Sequence, residues 1–168
     1  MINKPFRCPW HQFPDVVLHS PESTVKQHSS YSLAKSGDLD AANDLVEDTL
    51  SENALLQIQS LVGEKRPYLV SAHAVERSGV NAIPEALADE AGERLCWPVD
   101  SSIVQTNIVG HTGASGFARL ARQALFSGPV EVGADYFLVD DFIGQGGTLA
   151  NLRGYLEHMG GRVLGATS

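Results

Sequence analysis

The residues of this chain best suited to do chemistry lie between Tyr136 and Leu149, in the stretch Tyr-Phe-Leu-Val-Asp-Asp-Phe-Ile-Gly-Gln-Gly-Gly-Thr-Leu. An apolar run ends in two adjacent carboxylates, Asp140 and Asp141. A glycine-rich loop with Gly144, Gln145, Gly146 and Gly147 follows, and Thr148 opens a helix-like segment. Glycines allow backbone angles and close approaches that side chains block. The amides of such a loop, at the start of a helix, converge on a phosphate. The Thr148 hydroxyl adds one more donor. Bare carboxylates repel phosphate, so acid beside an anion cradle points to sugar hydroxyls or a bridging Mg2+. Adjacent strand residues face opposite ways, so the aspartates cannot close on one ligand as a clamp. One is expected to face the ligand and the other to brace the fold.

This loop needs a strand before it and a helix behind it. Tyr136 to Asp140 carries no turn residue and reads as a buried strand. A helix is expected from about Gly147 to Met159, broken by Gly160-Gly161, and a last strand over 162–167. Upstream, Pro67 to Ala72 is a second apolar strand, and Pro84 suits the first turn of a helix running to about Ala91, with Gly92 closing it. Leu95 to Val99 is a candidate edge strand because Pro98 limits its pairing. A further helix is expected from Ser115 or Gly116 through Leu125. Strands alternating with helices give a parallel, right-handed α/β sheet.

The first 66 residues read differently. Residues 1–36 are rich in Pro, Ser and His and form an irregular arm, with a short strand at Asp15 to His19. His19 and His28 lie in this polar stretch and are expected to be solvated. Two helices follow, capped by Asp38 and Ser51, the second ended by Gly63. The division is therefore 1–66, an arm with helices, and 67–168, the α/β core. Cys8 and His11 have a Cys-x-x-His spacing, but two ligands do not make a closed zinc site.

Composition narrows the function classes. With 168 residues the chain can bury a real core, and 43% hydrophobic content is ordinary. A formal charge of −8 disfavours a nucleic-acid-binding face. No apolar run reaches membrane-spanning length, and the N-terminus has no signal-peptide core, so the cytoplasm is expected and no membrane partner.

At the strand, acid pair and Gly/Thr loop the sequence resembles the type I phosphoribosyltransferases, closest to their orotate and competence-protein branches. The resemblance covers about Pro67 to Ser168. It implies that Asp140 and Asp141 bind the ribose of 5-phosphoribosyl 1-diphosphate (PRPP). It implies equally that Gly144, Gln145, Gly146, Gly147 and Thr148 bind the 5′-phosphate, and that Mg2+ accompanies PRPP. In that family the loop after the first core strand meets the diphosphate, which here points to His73 and Arg77. A hood loop between the second and third strands brings further cations, which here points to His111, Arg119 and Arg122. The activity implied is transfer of a 5-phosphoribosyl group to an unidentified base, with diphosphate leaving, in a homodimer. Members acting on 6-oxopurines place an aspartate where this chain has Gly144, so no general base is evident. The alternative is a non-catalytic PRPP- or nucleotide-sensing module. The family core has five parallel strands, whereas Ser168 falls just after the fourth counted here, so the core reads as incomplete at the C-terminus. Residues 1–66 have no family counterpart and are expected to form a hood over the base.

Overall fold

The computed structural model describes residues 5–74, 80–107, 123–141 and 146–168. Four helices come first: α1 (Glu22–Gln27), α2 (Tyr31–Lys35), α3 (Leu39–Thr49) and α4 (Glu52–Val62). Strand β1 (Tyr68–Ser71) and helix α5 (Ile83–Leu95) follow, then the short strands β2 (Val104–Gln105) and β3 (Phe126–Ser127). Strand β4 (Asp135–Val139), helix α6 (Gly147–His158) and strand β5 (Arg162–Thr167) complete the described chain.

The fold is α/β around a parallel sheet in the order β1-β4-β5. Single parallel bridges extend it on both sides. Leu69 of β1 pairs with Val99, through Leu69 N to Pro98 O and Asp100 N to Leu69 O, each 2.9 Å. The strand expected over 95–99 is thus reduced to a single bridge at Val99. Helix α5 continues through Leu95, and Cys96 turns the chain in a left-handed conformation. Gly92 lies inside that helix and does not end it. A Cβ there would meet Val99 Cγ2 at 2.5 Å and Trp97 O at 3.2 Å, so glycine lets the chain fold back against its own helix. On the far side Val17 pairs in parallel with Thr167 of β5. Val17 N donates to Ala166 O at 3.0 Å, and Ser168 N to Val17 O at 3.0 Å. The edge of β5, where a further core strand would lie, is thus occupied by an N-terminal segment.

The sheet separates two apolar layers, as strand alternation requires. Leu69, Phe137 and Val139 face α3, α4 and α5, together with Val25 and Ala34 from α1 and α2. Val70, Tyr136 and Leu138 face the other way, onto Leu149, Leu152 and Leu156 of α6. The crossover through α5 moves away from the β1–β4 pair in one direction, and the crossover through α6 in the other. Connections of one hand that run in opposite directions must place their helices on opposite faces, as α5 and α6 are. Helices α1 to α4 share a continuous core with α5 and the sheet.

The N-terminal arm lies over the outer side of α6. Cys8 N donates to Ala150 O at 3.2 Å, and the Phe6 ring stacks on His158 at 3.8 Å. The Arg153 guanidinium sits over the Phe13 ring at 4.6 Å and donates to Pro9 O. Gly154 makes this approach possible, because a Cβ there would run into the Phe6 carbonyl. Among the described residues nothing lies within 4 Å of a Cβ built on Gly147, in the first turn of the same helix. Gly154→Ala should therefore destabilise the protein by about 1–3 kcal/mol through overpacking. Gly147→Ala should be neutral or stabilising by up to about 1 kcal/mol. Urea midpoints of the two variants check this contrast.

Candidate functional site

Between β1 and β4 the direction of the crossovers reverses. In an open parallel sheet that point leaves a crevice outside the carboxyl ends of the strands, where ligands bind. His73 stands beyond the end of β1, Asp140 and Asp141 beyond the end of β4, and Gly146 to Thr148 at the start of α6.

Asp140 and Asp141 follow the last residue of β4. Tyr136 and Leu138 face α6, and the same period assigns Asp140 to that side. Phe137 and Val139 face the helical layer, and Asp141 follows them. Asp141 is buried there, 7% exposed, and its Oδ2 accepts from Lys35 Nζ at 2.8 Å and Asn81 Nδ2 at 2.6 Å. Asp140 is half-buried. Its backbone amide donates to Thr167 O at 3.1 Å, and its Oδ1 accepts from Asp141 N at 2.8 Å. Burial, and then the neighbouring Asp141, push the Asp140 carboxyl well above its ordinary value, against a smaller downward pull from Lys35. Asp141 is bound into the fold by Lys35 and Asn81.

Helix α6 opens on Gly146, which takes a left-handed conformation at φ 68°; among the described residues no side chain caps the helix, and its first turn holds no acidic residue. The intrahelical ladder starts with Ala150 N to Gly146 O at 2.9 Å, so the amides of Gly147, Thr148 and Leu149 precede it. These donors, with the positive end of the helix dipole, suit a phosphate. Gly146, Gly147 and Thr148 are all partly exposed.

The structure brings His73 to the same end of the sheet. Its ring is buried and lines a shallow cleft with Gly37, Leu39, Val80, Asn81 and Glu85. Nδ1 lies 2.8 Å from the Ser71 hydroxyl and 3.1 Å from the Ser71 carbonyl. Strands β2 and β3 pair as an antiparallel ribbon joined to this corner by Gln105 N to His73 O at 2.7 Å. The ribbon brackets residues 108–122. Arg77, His111, Arg119, Arg122, Gly144 and Gln145 lie outside the described residues, as does most of the helix expected over 115–125.

Three residues of this corner carry no motif in the sequence. Lys35 and Asn81 converge on Asp141 from distant positions. His19, expected to be solvated, is 1% exposed beside the end of β5, with its backbone tied to Ser168 and Ser51. Burial lowers its pKa, opposed by the charge of Asp141. His28 is likewise engaged, 2.9 Å from Asp48.

No family model matches the chain. It is 40% identical over 161 residues to protein TraN of Escherichia coli, covering 96% of this chain and 36% of that protein. It is 38% identical over 144 residues to an uncharacterised protein of Haemophilus influenzae, covering 86% of this chain and 32% of the relative. The chain thus spans about a third of the length of these relatives. Among solved structures it is similar to adenine phosphoribosyltransferase from Leishmania tarentolae, at 13% identity and a TM-score of 0.41, over 85% of this chain and 74% of that one. The corresponding enzyme from Leishmania donovani gives 12% identity and a TM-score of 0.42, over 94% and 72% of the two chains.

The raised carboxyl of Asp140 makes a prediction with a definite sign. The native state holds this proton above the ordinary carboxyl value of 3.8, where the unfolded chain has released it. The stabilisation from the neutral form is complete below that value and is lost as pH rises through the native value. Asp140→Asn, which stays neutral, should therefore be more stable than the wild type at neutral pH, with the difference shrinking toward pH 3.8 and below. Thermal midpoints measured across that range check both the sign and the convergence.

Proposed function

We propose that this chain binds PRPP in the crevice between β1 and β4 and transfers its 5-phosphoribosyl group to an acceptor base, releasing diphosphate. One observation carries the reading. A half-buried carboxylate, Asp140, follows directly on β4, whose alternation assigns it to the side of the sheet where α6 opens on Gly146 and Gly147. An acceptor for sugar hydroxyls beside a cluster of amide donors for a phosphate matches a phosphorylated ribose better than it matches a free phosphate. The acidic formal charge of the chain does not oppose this, since the phosphate is met by backbone amides.

In this reading Gly146, Gly147 and Thr148 hold the 5′-phosphate, joined by Gly144 and Gln145 from the loop. Asp140 accepts hydrogen bonds from the ribose hydroxyls. Asp141, held by Lys35 and Asn81, keeps the end of β4 in place. His73 and Arg77 at the first strand, and His111, Arg119 and Arg122 from residues 108–122, are the groups proposed to meet the diphosphate. The Mg2+ belongs to the substrate, bound with the diphosphate. Displacement at the ribose C1 carbon passes through an oxocarbenium-like state. The protein's part is to stabilise the leaving diphosphate and keep water away.

Titration calorimetry with PRPP and Mg2+ tests the site. Asp140→Asn should weaken PRPP by about tenfold to a hundredfold, the loss of a charge-assisted hydrogen bond worth about 1.5–3 kcal/mol. Asp141→Asn should act mainly on stability. Gly147→Val should abolish binding while the far-ultraviolet circular dichroism is retained, because the added side chain fills space that no described residue occupies. Equal, small losses in the two aspartate variants would contradict the assignment. Binding without diphosphate release across a panel of bases would identify a PRPP-sensing module in place of a transferase.

A further inference from the structure

We propose that Lys35 is a positioning residue of the crevice: by pairing with Asp141 it commits that carboxylate to the fold and leaves Asp140 as the single ligand-facing acid. The ribose part of this inference rests on the PRPP reading above. The division of labour between the two aspartates does not.

Three elements from distant parts of the chain meet at one oxygen. Lys35 ends α2, and Ala34 O beside it accepts from Ala82 N at 3.0 Å, which docks α2 on the turn before α5. Asn81 in that turn caps α5 with its Oδ1, accepting from Ile83 N at 3.1 Å, and gives its Nδ2 to Asp141. Lys35 Nζ takes the same Oδ2. The ammonium is 38% exposed and the carboxylate 10%, so the charge reaches Asp141 from the solvent side. Gly37 and Leu39, just beyond Lys35, form a wall of the cleft that also holds His73 and Asn81. The N-terminal helices therefore carry a cation to the acid pair, which no local motif in the sequence announces.

The consequence is electrostatic. Two adjacent carboxylates at a buried strand end cannot both ionise cheaply without a cation nearby. Lys35 supplies the cation to Asp141 and, as a smaller effect, pulls the Asp140 carboxyl down against burial and the Asp141 charge. The charged or titratable groups around Asp140 among the described residues are Asp141 and Lys35. His19 borders Asp141 from the edge segment, and its burial lowers its pKa against the charge of Asp141. Without Lys35, nothing offsets burial and the Asp141 charge, and Asp140 would hold its proton to a higher pH than in the wild type.

The test uses the full chain and two readouts. In the ligand-free protein, the side-chain carboxyl of Asp140 is titrated by carbon-13 NMR in the wild type, Lys35→Met and Lys35→Arg. Lys35→Met should move the Asp140 midpoint upward by roughly one unit, and Lys35→Arg should leave it near the wild-type value. The double variant Lys35→Met with Asp141→Asn removes both charges and should return the midpoint toward the wild type. That variant also serves should Lys35→Met alone fold poorly. The second readout is Mg2+–PRPP affinity against pH. Lys35→Met should lose about tenfold at neutral pH, with the deficit shrinking as pH rises and Asp140 ionises. An unmoved Asp140 midpoint in Lys35→Met, or a deficit independent of pH, would overturn the proposal. If the wild type does not bind PRPP at all, the phosphoribosyl reading falls while the NMR titration still decides the role of Lys35.

Discussion

A carboxylate buried at the end of a central strand must find a cation or a set of donors, and Asp141 finds both. Lys35 and Asn81 close on a single oxygen, from α2 and from the turn that caps α5. The cost of leaving such a charge unpaired is several kcal/mol, about 3–5 when one partner of a buried pair is removed. The partial exposure of Lys35 lowers that figure here. This constraint ties the N-terminal helices to the carboxyl end of the sheet. In the proposed function it leaves Asp140 as the acid that meets the ligand.

The strand period does the rest. β4 sends Phe137 and Val139 to one layer and Tyr136 and Leu138 to the other, and the same period assigns Asp140 to the side of α6. Layer packing thus sets the site geometry. α6 is held by Leu149, Leu152 and Leu156 against the sheet and by the arm across Gly154 on its outer side. A site built in this way, on a strand end and a helix start that are both anchored in a core, is positioned before a ligand arrives.

Much of this was legible in the sequence because the signals were local. The apolar run before Asp140, the glycines before Thr148 and the caps Asp38 and Ser51 each act over a few residues. They gave β4, α6, α3 and α4 nearly at their observed bounds. The parts that could not be read depend on distant partners. Helices α1 and α2 have six and five residues, too short for a periodic pattern, and are held by packing. Val17 pairs with Thr167 across the whole length of the chain, so a sheet that appeared to lack an edge strand has that edge taken from the N-terminus. His19 looked solvated in a polar stretch and is buried because that stretch joins the sheet. Gly92 looked like a helix end, yet it is the point where Val99 packs back on α5. In the site, the acid pair and loop were legible as a motif, whereas Lys35 and Asn81 were not, since nothing near either residue marks it as a partner of Asp141.

The most direct test of the account is a crystal structure of the full chain with PRPP and Mg2+. The account predicts the 5′-phosphate on the amides of Gly147 to Leu149 and the ribose hydroxyls on Asp140, with Asp141 still paired to Lys35 and Asn81. A phosphate bound away from the start of α6, or ribose hydroxyls on Asp141 with its pair to Lys35 broken, would contradict it.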